Sequence, residues 1–311
     1  MPQTVHTLSA TVINDMKQFY ADSSQTPPQG AVFRAKTGDA VITAYRSGKV
    51  LFQGSNPEAE AKKWAGETAS AGKKSLPARK QAASSYHPPE SLFASSHIGT
   101  DEAGTGDYFG PITVAGVYVE AEQIHQLKEL GVKDSKHLTD ARIRSIAKEI
   151  VKLELPYSLM VLPNNKYNQL QKKGWSQGKM KAMLHHHVIQ KLMKKIDSLP
   201  LEGILIDQFC EPAVYKKHIA AEKESLAANT YFMTKAESYS IAVAAGSIIA
   251  RTSFLKEMDK LSERLEISLP KGASQKVDQT IAKVIREHGR ETLDSCAKVH
   301  FANSRKAEKY L

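Results

Sequence analysis

Two acids, Asp101 and Glu102, stand side by side at the end of the run Ser96-His97-Ile98-Gly99-Thr100, just before Ala103 and the turn Gly104-Thr105-Gly106. The residues ahead of them can form a short strand, and adjacent residues of a strand point to opposite faces. Asp101 and Glu102 therefore cannot both pack into one buried face. A carboxylate pair at a strand end, beside exposed backbone amides, suits a divalent cation and a phosphate, because hard oxygen ligands hold Mg²⁺ while substrate phosphate completes its shell. Taken alone, the pair also reads as a polar hairpin turn with solvated acids, and the rest of the chain has to decide between the two.

From Ser95 onward strands and helices alternate. Ile112 to Val119 is apolar and β-branched, Ala121 to Leu130 reads as a helix, and Thr139 to Leu153 begins on a capping Thr with Ile143, Ile146, Ala147 and Ile150 at helical spacing. Ser158 to Leu162 is a strand, Lys179 to Ile196 a long helix, and Gly203 to Asp207 a buried strand ending in an acid. This alternation predicts a mixed α/β layer architecture.

Ahead of it, residues 1–67 form a smaller α+β pattern. Val5 to Thr11 reads as a strand and Val12 to Ala21 as a helix with Val12, Met16 and Phe19 along one side. Strands follow at Ala31–Lys36, Ala40–Tyr45 and Lys49–Gln53, with Asn56 as N-cap and Pro57 as first residue of a helix to Ala65. This order resembles one half-repeat of the TATA-binding-protein fold, which suggests nucleic-acid binding through an open sheet face. Residues 68–93, rich in Ala, Ser, Lys and Pro, read as a basic linker, leaving 94–311 as the main domain.

The 311 residues carry 43 Lys and Arg against 33 Asp and Glu, a formal charge of +10, which favours a polyanionic partner, nucleic acid rather than membrane. Cys210 and Cys296 make neither a disulfide framework nor a zinc signature. No stretch approaches the roughly 20 apolar residues of a membrane span, and no apolar signal segment leads the chain. A cytoplasmic protein is the simplest expectation.

Asp207 closes an apolar strand, and Glu237 precedes the small-residue run Tyr239 to Arg251, which reads as a tightly packed helix with Glu237 near its start. Each acid alone has a plain reading, a solvated strand end and a helix-dipole partner. Together with Asp101 and Glu102 they supply the acids that a two-metal site requires.

D-E-A-G-T-G-D-Y-F-G-P at Asp101 to Pro111, V-K-D-S-K-x-L at Val132 to Leu138, I-L-I-D at Ile204 to Asp207, and K-A-E with V-A-A-G-S-I-I-A-R between Lys235 and Arg251 occur in this order. The set resembles the type-2 ribonucleases H. The Glu237 form of the fourth acid, the tail Lys298-Val299-His300-Phe301-Ala302-Asn303 and the N-terminal domain are similar to the ribonuclease HIII branch. The resemblance implies a ribonuclease H-like mixed sheet flanked by helices, and endonucleolytic hydrolysis of the RNA strand of RNA–DNA hybrids, leaving 5′-phosphate and 3′-hydroxyl ends.

It further implies that Asp101, Glu102, Asp207 and Glu237 hold two divalent ions, Mg²⁺ with Mn²⁺ as substitute, when substrate is bound. One ion would lower the pKa of a water and the other would stabilise the leaving 3′ oxygen. RNA is told from DNA by its 2′-hydroxyl, which backbone groups of Gly104, Thr105 and Gly106 could contact. Lys136 is the candidate phosphate contact. The chain departs from the related ribonuclease HII pattern at Thr105, where G-R-G becomes Gly104-Thr105-Gly106, which weakens the expectation of cutting at a lone ribonucleotide. A monomer without an obligate protein partner and without a membrane is expected.

Other features are read as structural. His185, His186 and His187 diverge by about 100° per step on a helix, so they cannot form one metal face and are expected to pack or be solvated. Gly99-x4-Gly104-Thr105 lacks the Lys of a phosphate loop. Trp64 and Trp175 are expected to pack, and Tyr108 and Phe109 fit either a substrate groove or the core. Two rival functions remain: a nucleic-acid-binding protein that no longer cuts, and a metal nuclease for DNA.

Overall fold

The computed structural model describes residues 2–28, 30–45, 47–65, 86–132 and 138–311. It divides into two units, Met1–Lys80 and Gln81–Leu311. The predicted phosphate contact Lys136 and residues 68–85 of the expected linker lie outside the described residues.

The first unit runs β1 (Gln3–Thr7), α1 (Ala10–Phe19), β2 (Ser24–Gln25), β3 (Ala31–Lys36), β4 (Ala40–Tyr45), β5 (Lys49–Gly54) and α2 (Pro57–Ala65). Its antiparallel sheet has the order β1-β5-β4-β3-β2. The strand expected to reach Thr11 stops at Thr7, because Ser9 caps α1 by accepting a hydrogen bond from the Val12 amide at 3.2 Å. Asn56 caps α2 in the same way, accepting from the Ala59 amide. Ile42 pairs in register with Ala35 and Phe52, and this face of the sheet is covered by Ile13 and Met16 of α1 and Trp64 of α2. Phe19, expected on the buried side of α1, is 67% exposed. The inward position goes to Tyr20, whose hydroxyl donates to Glu60 Oε1 and accepts from Trp64 Nε1, both at 2.7 Å. On the opposite face Val5, Leu51, Thr43, Arg34 and Gln25 stand in one row across all five strands.

The second unit contains β6 (His97–Ala103), β7 (Ile112–Val119), α3 (Gln123–Glu129), α4 (Asp140–Lys152), β8 (Tyr157–Leu162), α5 (Asn164–Lys172), α6 (Gln177–Lys195), β9 (Gly203–Asp207), α7 (Pro212–Ala220), β10 (Thr230–Met233), α8 (Ile241–Leu265) and α9 (Gln275–His288). The sheet order is β10-β9-β6-β7-β8. β9 lies parallel to β6 and β10 parallel to β9, whereas β7 and β8 pair antiparallel. All eight residues of β7 are buried because helices cover both of its faces. On one face, a β-carbon at Gly116 would press on Val188 and Leu192 of α6. On the other, a β-carbon at Gly246 of α8 would lie 3.1 Å from the Ala115 carbonyl.

Residues 86–93, placed in the linker by composition, are folded onto this second unit. The Phe232 amide donates to the Tyr86 carbonyl at 2.8 Å, the two rings pack edge to face, and Leu92 is buried. Two large apolar side chains give this stretch enough surface to bury, against its polar average. The small-residue helix expected to end near Arg251 runs on to Leu265, making α8 25 residues long.

Candidate active site

The four acids come from three places around β6. Asp101 and Glu102 end β6, Asp207 ends the neighbouring β9, and Glu237 lies in a single 3-10 turn, Ala236–Ser238, ahead of α8 rather than in its first turn. The β9–β6 pairing stops at Thr100 and Ile206, so both strands deliver their next residue to one sheet end. Lys235, at φ 57°, turns the chain back from β10, and the Ala236 amide donates to Asp207 Oδ1 at 2.9 Å, tying Glu237's turn to β9.

Alternation along β6 sends the first two acids to opposite sides. Asp101, 8% exposed, faces α8 and bonds to Ser247. Glu102 faces α6, where Lys181 Nζ donates to Oε1 at 2.8 Å and His185 Nε2 meets Oε2 at 2.9 Å. Their charges nonetheless act on one another across the strand tip. Burial, then the charges of Glu102 and Asp207, holds the Asp101 carboxyl well above the usual range. Burial, then the charges of Glu237 and Glu102, raises Asp207 to about 7. Burial also works to raise Glu102, but His185 and Lys181 overcome it and hold that carboxyl low.

This donor set fits a hard divalent cation, because its oxygens repel one another and the Asp101 and Asp207 carboxyls are held above their ordinary range. Among the described residues no three His, Cys, Asp or Glu side chains form a ready-made cage. Glu102 is drawn aside toward α6 by its two partners.

The glycine turn sits beside the acids. Gly104, at φ 86°, is buried where a β-carbon would lie 2.7 Å from the Phe254 ring, so only glycine fits. Thr105 is half-buried and its carbonyl accepts from Gln177 Nε2 at 3.1 Å. Gly106 is exposed, with open space where a side chain would stand. Behind the turn, Asp107 Oδ1 accepts from the Gly272 amide at 2.6 Å, and the fully buried Lys298 donates to the Asp107 and Gly110 carbonyls at 2.8 and 2.5 Å. Burial pushes the Lys298 ammonium down to about 7.

Tyr108 and Phe109 are fully buried, which assigns them to the core rather than to a groove. Trp64 packs as expected, and Trp175 lies half-buried under the Lys179 ammonium. The three histidines do diverge: His186 pairs with Glu224 at 3.1 Å while His185 meets Glu102. His185 is packed as expected, against Phe209, but it also meets one of the four acids, Glu102. Its signal was the Lys181/His185 spacing of four, which puts two basic side chains on one helical face, but their acidic partner is distant in sequence.

The chain is similar to known ribonucleases H. Residues 98–304 match the family model described as Ribonuclease HII, and residues 3–76 match a domain of unknown function, DUF3378. A ribonuclease HIII of Oceanobacillus iheyensis is 58% identical over 311 residues, covering 100% of both chains. One of Bacillus subtilis is 50% identical over 310 residues, 99% of this chain and 98% of that one. Among solved structures, Bst-RNase HIII in complex with Mn²⁺ superposes with a TM-score of 0.68 at 42% identity, covering 99% of this chain and 98% of the other. Aquifex aeolicus RNase H3, at 20% identity and a TM-score of 0.54, shares the fold.

Proposed function

Because the chain belongs to the ribonuclease HIII family of ribonucleases H, we propose that it cuts the RNA strand of RNA–DNA hybrids endonucleolytically, leaving 5′-phosphate and 3′-hydroxyl ends. Asp101, Glu102, Asp207 and Glu237 hold two divalent ions, Mg²⁺ or Mn²⁺. The observation that carries this reading is the meeting of these carboxylates at one sheet end, with Asp101 and Asp207 forced toward their protonated forms. A protein that only bound nucleic acid would gain nothing by setting four carboxylates beside phosphates.

Bound there, the ions supply a water of lowered pKa and charge stabilisation at the leaving 3′ oxygen. The chain's own residues do the rest. Asp101, fixed by Ser247, and Asp207, fixed by the Ala236 amide, present oriented anionic oxygens. The exposed backbone at Gly106 can approach a ribose closely and read its 2′-hydroxyl. Gly104 and Thr105 serve that contact mainly by shaping the turn, since the Thr105 carbonyl is already engaged by Gln177. Lys136 is the proposed phosphate contact. Residues 1–67 bind the hybrid through the open face of their sheet, and the excess of Lys and Arg supports a polyanionic substrate.

The test is one gel comparing labelled RNA–DNA hybrid, duplex DNA, and DNA carrying one ribonucleotide, each with Mg²⁺, Mn²⁺ or chelator. Metal-dependent cutting of the hybrid is expected, with poor cutting at the lone ribonucleotide and none of duplex DNA. Equal cutting of duplex DNA would overturn the substrate assignment.

A further inference from the structure

Lys181 and His185 stand one turn apart on α6, so both reach the same face of the helix. Between them they occupy both oxygens of Glu102, Lys181 Nζ at 2.8 Å from Oε1 and His185 Nε2 at 2.9 Å from Oε2. The two partners are held very differently. The His185 side chain is fully buried, its Nδ1 lies 2.9 Å from Thr100 Oγ1, and its ring packs against Phe209. The Lys181 side chain is 12% exposed and rests its ammonium over the Phe209 ring on a flexible four-carbon stem. One partner cannot leave without breaking the core, and the other can swing away.

The geometry points to Lys181 as a built-in counter-ion that competes with the divalent cation for Glu102, and to His185 as the positioning residue that keeps the carboxylate aimed while the exchange takes place. The inference rests on the reading of Glu102 as a cation ligand. It follows from charge: a cation at Oε1 must meet or displace an ammonium already there, because two like charges at hydrogen-bond distance from one oxygen repel strongly in a half-buried setting. Without a cation, Lys181 and His185 hold the two Glu102 oxygens against α6.

The experiment is a calorimetric titration of the full chain, stripped with chelator, using Mn²⁺ alone as the probe. Lys181→Met should bind Mn²⁺ tighter, by about threefold or more, since it removes a competing positive charge. Lys181→Arg should keep the parent affinity. His185→Ala should weaken Mn²⁺ binding and lower kcat with little change in KM for hybrid. His185→Gln, whose amide nitrogen stands close to the place of Nε2, should restore both. The gain from Lys181→Met should vanish in a Glu102→Gln background. Unchanged or weaker Mn²⁺ binding by Lys181→Met would overturn the counter-ion role. A His185→Gln protein no better than His185→Ala would overturn the positioning role. Glu102→Gln binding Mn²⁺ as tightly as the parent would instead remove Glu102 from the ligand set, a failure of the underlying reading that the single variant separates from the other two outcomes.

Discussion

Gly99 of β6 and Val243 of α8 touch backbone to backbone: a β-carbon at Gly99 would overlap the Val243 nitrogen. Only glycine allows α8 to lie this low on the sheet, and that depth sets how close Ser247 and the turn carrying Glu237 come to Asp101. Gly99→Ala should therefore destabilise the second unit by about 1–3 kcal/mol or more, since the neighbouring atoms are main chain and cannot move aside. Urea unfolding followed by circular dichroism checks this. A midpoint equal to that of the parent would mean that α8 can lift freely.

Replacing Asp101 by Asn should move stability and activity in opposite directions. The buried carboxyl is raised by burial and by the charges of Glu102 and Asp207, so its ionised form strains the cation-free protein. Asn removes that charge and should raise the melting temperature in chelator. Hydrolysis of hybrid should fall about a hundredfold or more, because an ion that loses an anionic ligand forfeits several kcal/mol of transition-state stabilisation. Glu102→Gln, Asp207→Asn and Glu237→Gln should likewise lose activity while staying folded. Full Mg²⁺-dependent activity in a folded Asp101→Asn protein would sink the assignment.

Asp207 gives a pH dependence with a definite sign. Its folded-state value is raised from 3.8 to about 7, so the fold favours the protonated form. That contribution is fully present below pH 3.8 and is lost as pH rises through about 7. In chelator, this group makes the protein less stable at pH 8 than at pH 5. Mg²⁺ should raise the melting temperature more at pH 8, where the carboxylate is ionised and free to bind it. An equal Mg²⁺ effect at both pH values would contradict the shift.

Truncation should separate binding from cutting, provided the cut respects Tyr86. A fragment of residues 86–311 keeps the Tyr86–Phe232 contact and buried Leu92, whereas one beginning at residue 96 loses both. The longer fragment should fold and bind hybrid more weakly than the whole chain, with a shallower dependence on salt because phosphate contacts have been lost. The shorter should melt at a lower temperature. Identical affinity and salt slope for residues 86–311 and the whole chain would remove the N-terminal sheet from substrate binding.

A lone ribonucleotide in duplex DNA should be cut far more slowly than continuous hybrid at equal enzyme and Mg²⁺. Thr105 offers one short hydroxyl where a multiply donating guanidinium could grip a distorted junction, and its carbonyl is already committed to Gln177. Initial rates on the two substrates decide the matter. Comparable rates would show that position 105 does not discriminate.

The sequence carried the architecture wherever local pattern and burial agree. The apolar run Ile112–Val119 is a fully buried strand, and Gly203–Asp207 is a strand ending in one of the four acids, as their composition says. Phe19 misled because helical spacing admits two neighbouring faces, and the choice was made by the Tyr20–Glu60–Trp64 bonds, formed 40 and 44 residues apart. The second half of α8 escaped notice because its polar residues mask a helix still anchored by Phe254, Leu255 and Met258. The four acids could be gathered from family motifs, and the fold brings them to one sheet end. The hold of Lys181 and His185 on Glu102 spans 79 and 83 residues, and its one local sign is the spacing of four that puts both basic residues on one helical face.

The buried ammonium of Lys298 ties down carbonyls made 191 and 188 residues earlier in the chain. During translation, the Gly104-Thr105-Gly106 turn leaves the ribosome long before its clamp does. A nascent chain thus carries all four acids while the floor beneath Gly104-Thr105-Gly106 is still missing. Completion of the turn's support is thereby tied to the arrival of Lys298, and a message truncated ahead of it yields a chain with all four acids but without the clamp on the Asp107 and Gly110 carbonyls.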